Sequence, residues 1–122
     1  MDLFNDLQEL IKKLNQSIKL LAKYGNEFAE AERDYKIALR QEALKLRAEK
    51  GMAVTLIQQV VYGVPEVAKK RFNRDVAEAM YKTALENINS IKLQIRILEN
   101  QLDREYRNWK QKEVKLLIYQ CQ

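Results

Sequence analysis

Residues 7–35 read LQELIKKLNQSIKLLAKYGNEFAEAERDY, and their spacing decides the fold. Leu7, Leu14, Leu21, Phe28 and Tyr35 recur every seven residues, and Leu10, Ser17, Tyr24, Ala31 and Ala38 follow three residues behind. Two interleaved rows at this interval lay one apolar seam along a helix, the pattern of coiled coils. Ile11, Ile18, Leu39 and Leu46 widen the seam, as expected where a helix meets more than one neighbour. The spacing predicts a helix over residues 2–49. Gly25, followed by Asn26, weakens it by about 1 kcal/mol relative to Ala. The rows stay in phase across Gly25, so one helix with a weak point is expected.

A second long helix is expected over residues 65–119. Ile88, Ile95, Leu102, Trp109 and Leu116 repeat every seven residues, and Ala84, Ile91 and Leu98 supply the companion row. Each long helix would span roughly 70–80 Å. Such a helix is stable in water only when its stripe is buried, and folding the chain back on itself buries both. Between the two, Gly51 suits the residue just past a helix end. Thr55 and Gln58 have the spacing of a capping box, so a short helix is expected over 55–62, stopped by Gly63. Pro65 with Glu66 behind it opens the next helix.

Composition agrees. Three Gly and one Pro in 122 residues leave few places to turn, so the elements must be few and long. The 32% charged and 47% hydrophobic residues are typical of long helices and coiled coils. The expected architecture is all-α: one domain, 1–122, forming a long antiparallel helical hairpin with a short helix at the hairpin end. Ile37, Leu39, Leu85, Ile97 and Leu117 lie outside a strict seam, and 114–119 is apolar for a terminus. A residual apolar face of this kind is commonly covered by a second copy, so a homodimer forming a four-helix bundle is expected. The stripe residues above are the candidate core and dimer contacts. No apolar run approaches the ~20 residues of a membrane span, and the first residues lack the pattern of a secretion signal. A cytoplasmic protein is expected.

The chain has no histidine and one cysteine, Cys121. The histidine-dependent triads, most zinc sites and the commonest general base near neutral pH therefore have no residues to build them. Lone glycines make no phosphate loop. Glu30 with Asp34, and Glu99 with Asp103, lie one turn apart beside Arg33 and Arg104, which favours ordinary surface ion pairs. No catalytic residue, metal ligand or cofactor is expected, and Cys121 reads as a thiol at a frayed end.

Charge gives the candidate contact surface. The chain carries a formal +5. Arg33, Lys36, Arg40, Lys45, Arg47 and Lys50 on the first helix, and Lys69, Lys70, Arg71 and Arg74 on the second, would meet near the hairpin end. A patch of one sign attracts phosphate backbones in a salt-dependent way, and an acidic protein surface equally; the plainer reading is a solvated helix face. Nucleic acid and a protein partner both stay open. A helix-turn-helix spanning Leu46 to Phe72 has the right order of elements. It would place Gln59 where a small apolar residue packs, and Lys69 at a buried position. Phe28, Tyr35, Phe72, Tyr106 and Trp109 are expected in the core, while Tyr24, Tyr62 and Tyr119 are open to a partner.

Leu46-Arg47-Ala48-Glu49, Val54-Thr55-Leu56-Ile57, Glu66-Val67-Ala68 with Arg71-Phe72-Asn73-Arg74-Asp75-Val76-Ala77-Glu78-Ala79, and Ile91-Lys92-Leu93-Gln94-Ile95-Arg96-Ile97-Leu98-Glu99 together resemble small helical proteins encoded by tailed phages and prophages of Gram-positive bacteria. The resemblance covers residues 47–106 most clearly, has no catalytic signature and carries over no site residues. It implies an accessory role in phage DNA replication or recombination, in the host cytoplasm. The expected function is a non-enzymatic interaction protein acting there through its basic hairpin end. The alternatives are an inhibitor that binds a host defence protein and a structural or scaffold component of a virion.

Overall fold

The computed structural model describes residues 2–120, all α-helical in class. Helix α1 covers Leu3–Lys50, α2 covers Val54–Val60, a 3-10 turn covers Val61–Gly63, and α3 covers Pro65–Gln120. Asp2 starts α1: its Oδ1 accepts hydrogen bonds from the Phe4 and Asn5 backbone N–H groups at 3.1 and 3.4 Å. This satisfies donors that no helical carbonyl can reach. Helix α1 runs unbroken through Gly25, as the unbroken phase of the rows predicts. Gly51 ends it with φ +60°, a conformation that costs residues with a Cβ. The Gly51 N–H donates to the Arg47 carbonyl at 3.1 Å, and Arg47 returns to clip the turn, its Nη1 donating to the Met52 carbonyl at 2.9 Å.

The expected capping box does not form. Helix α2 begins at Val54, its N-cap is Ala53, and no side chain caps it. Thr55 therefore sits inside the first turn, where its hydroxyl cannot serve as the cap. Pro65 opens α3, behind Val64, whose carbonyl accepts the Ala68 N–H at 2.9 Å.

The chain gathers into two compact units, Met1–Ile18 with Glu86–Gln122, and Lys19–Leu85. In the first, the start of α1 lies beside the second half of α3. Leu3 lines a groove with Gln101, Arg104, Glu105 and Asn108. Asn87 Nδ2 donates to Ser17 Oγ at 3.5 Å. The two segments are thus antiparallel. Leu7, Leu10, Leu14 and Ser17 pack half-buried, as do Ile95, Leu98 and Leu102, while Ile88 and Ile91 are buried. Past Leu102 every described residue of α3 is exposed. Tyr106, Trp109 and Leu116, placed by their spacing on the stripe, are 56%, 54% and 61% exposed. The reason is length: Leu3 already lies against Gln101–Asn108, so no described turn of α1 faces the later turns of α3. Cys121 lies outside the described residues.

The second unit is a helical hairpin closed by α2. Gly25 faces the ring of Tyr81, Phe28 packs against the same ring at 6.1 Å between centroids, and Tyr35 meets Arg74, so the arms of the hairpin run antiparallel. Its core is a cluster of Tyr35, Ile57, Val61 and Val67, with Leu39, Ala43, Leu46, Met52 and Val64 packed around it. Val67 is fully buried. The short helix supplies Ile57 as a plug across the open end of the two long ones. Leu21 and Phe28 are half-buried, Tyr35 and Ala38 buried. Phe72, expected in the core, is 67% exposed, because the α3 face that meets α1 carries Val67, Arg74 and Tyr81.

Candidate functional site

The basic residues named from sequence all belong to the second unit, and the structure sorts them by flank. On one flank α1 contributes Glu27, Glu30, Ala31 and Asp34, and α3 contributes Lys70 and Asn73, lining a shallow groove. Successive residues turn by about 100° around a helix axis. Arg33, Lys36, Arg40, Arg47 and Lys50 follow one another at spacings of three, four, seven and three, so they form one row. This row points away from the acidic groove. On α3, Arg71 lies on the side opposite Asn73, and so on the flank opposite the groove. Lys69 stands one turn before Asn73 and stays on the groove's side, so the four basic residues of 69–74 do not form a single patch with the row on α1.

Several cations are held by neighbours in their own chain. Lys45 pairs with Glu42 at 3.3 Å and Lys70 with Glu66 at 4.0 Å. Arg33 and Lys36 pair with Asp34 and Glu32. Arg74 is half-buried: its guanidinium lies 4.8 Å from the centre of the Tyr35 ring and its Nε and Nη2 donate to Asp75 Oδ1 at 3.1 and 2.8 Å. That hydrogen bond holds the guanidinium above its ordinary pKa, against the opposing effect of burial. Arg74 therefore packs the hairpin. Arg47 clips the turn through one nitrogen and remains exposed. Arg71 sits over the Tyr62 ring at 5.5 Å. Among the described residues Arg40, Lys50, Lys69 and Arg71 have no carboxylate within ion-pair distance and are exposed. Exposed pairs are worth little, so Lys36 can exchange Glu32 for a phosphate at small cost.

Two features escape a reading of the sequence. One is the acidic groove, whose carboxylates come from about two turns of α1 and are set opposite Lys70 only by the pairing of the helices. The other is the inward turn of Arg74, since a run of four basic residues in six positions conceals which of them faces α1. Gln59 and Lys69 are both exposed, so α2 and α3 leave outside the positions that a helix-turn-helix buries. Among the described residues no three His, Cys, Asp or Glu side chains gather into a cation site, and no helix is long and apolar enough to cross a membrane. Compared with protein-family models, with curated proteins and with solved structures, the chain matches none of them.

Proposed function

We propose that the chain is a non-enzymatic interaction protein that binds nucleic acid along the basic flank of its hairpin end. We place it as an accessory of phage DNA replication or recombination, working in the host cytoplasm as a homodimer. The observation that carries the nucleic-acid half is the distribution of charge. Residues 40–74 hold eight basic and three acidic residues, a local +5 equal to the excess of the whole chain. Arg40, Arg47, Lys50 and Arg71 present much of that excess on one flank, and phosphate backbones bind such surfaces by releasing counterions. The phage setting is supported by the sequence resemblance of residues 47–106.

Fluorescence anisotropy with labelled duplex and single-stranded DNA, titrated between about 50 and 200 mM salt, tests the binding. Four phosphate contacts give a slope of log K against log salt of about −3.6 on duplex. Arg40→Gln with Arg71→Gln lowers its magnitude by about 2, with little change between DNA sequences. Lys69→Gln, on the groove's side, leaves the slope where it is. Absence of binding to either DNA at the lowest salt refutes the nucleic-acid half and favours a protein partner.

A further inference from the structure

In the second unit, the side of α3 turned away from α1 carries a row of apolar residues, Ala68, Phe72, Val76, Ala79 and Met80, ending at the small polar Thr83. Phe72, Val76 and Met80 are 67%, 47% and 44% exposed. Their spacing by threes and fours keeps them on one face over more than four turns. Beside this row, on one flank, stand Asp75 and Lys82, with side chains 54% and 70% exposed. We propose that this face of α3 receives the same face of a second copy, antiparallel about a two-fold axis level with residue 78. The occupant rests on the homodimer proposed above, and the inference adds where the copies meet.

The face is self-complementary. In an antiparallel pair related by a two-fold axis, each flank meets its own copy, and residues at equal distance on opposite sides of the axis come level. An axis near residue 78 sets Val76 level with Met80 of the second copy and Phe72 within one residue of level with Thr83. Ala79 falls beside the axis, where a small side chain permits close approach of the helices. The same register brings Asp75 within one residue of level with Lys82, and Lys82 with Asp75, so opposite charges meet twice on one flank. A slip by one turn of α3 breaks both charge pairs and the apolar match together. Within each chain Asp75 is held by Arg74 and Lys82 by Glu78, at 2.8 and 3.0 Å. Both pairs are intrahelical, with Arg74 and Glu78 half-buried, and the exposed Asp75 and Lys82 side chains can take a second partner across the axis without giving up the first.

Sedimentation equilibrium on the full chain and on two charge variants tests the register. Asp75→Lys alone sets a lysine against Lys82 at both crossings, and Lys82→Asp alone sets a carboxylate against Asp75 at both. Each variant is expected to dimerise at least tenfold more weakly than the parent chain while keeping its helical circular dichroism. Mixing the two variants restores attraction at both crossings, so an equimolar mixture is expected to regain dimer at the parent concentration. Variants that dimerise like the parent, or a mixture that stays monomeric, overturn this face while leaving a dimer through another one. A parent chain that is monomeric throughout the micromolar range overturns the dimer itself.

Discussion

Replacing glycine by alanine is expected to act in opposite directions at two positions of this chain. Gly25 lies in the interior of α1, where glycine costs about 1 kcal/mol relative to alanine because it gives up more backbone freedom on folding. A Cβ added at Gly25 meets Cε2 and Cδ2 of Tyr81 at 3.5 and 3.7 Å, ordinary packing distances. Nothing must move, and the new contacts add a few tenths of a kcal/mol at most. Gly25→Ala is therefore stabilising by about 1 kcal/mol. For 122 residues, with an unfolding entropy near 2.1 cal/mol/K per residue, that raises the midpoint by about 4 °C. At Gly51 a Cβ meets nothing within 4 Å, so there is no steric cost from neighbours. Its φ of +60° alone penalises alanine, by roughly 1–2 kcal/mol. Gly51→Ala is expected to lower the midpoint by a comparable or larger amount. Thermal melts followed by circular dichroism at about 222 nm read both variants against the parent. A Gly25→Ala variant that melts lower would refute the reasoning, because it would mean that α1 needs a break at Gly25 or that the Tyr81 ring cannot accept the methyl group.

Burial leads to two more expected outcomes. Val67 is 0% exposed in the cluster with Tyr35, Ile57 and Val61, so Val67→Ala removes buried carbon and leaves a cavity. A loss of ~2 kcal/mol is expected in urea unfolding, and a loss below half of that would show that the end of the hairpin closes over the gap. Trp109, the single tryptophan, is 54% exposed on turns of α3 that no described turn of α1 covers. Its fluorescence is expected to be readily quenched by acrylamide and to shift little on unfolding; a strongly blue-shifted, protected emission would show that these turns are covered in solution.

The extents of the long helices were legible in the residues because they depend on local properties. Scarce Gly and Pro, an unbroken seven-residue phase, Gly51 after one helix and Pro65 at the start of the next place the ends of α1 and the start of α3 within a residue of where they lie. The same locality explains the error at α2: Thr55 and Gln58 have the cap spacing, but the helix starts one residue earlier, at Val54. Backbone contacts around Ala53 settle that start, with the Ile57 N–H donating to its carbonyl at 3.0 Å.

What faces each stripe was decided by the tertiary structure alone. Ile88 and Trp109 share one heptad position, yet Ile88 is buried and Trp109 exposed, since α1 covers one and its described turns do not reach the other. Lys70, Arg71 and Arg74 read alike in a basic run, yet one lines an acidic groove, one lies over Tyr62 and one packs on Tyr35. A period of 3.5 residues assigns side chains to a face of a helix; the partner that makes that face dry or charged comes from residues distant in the chain.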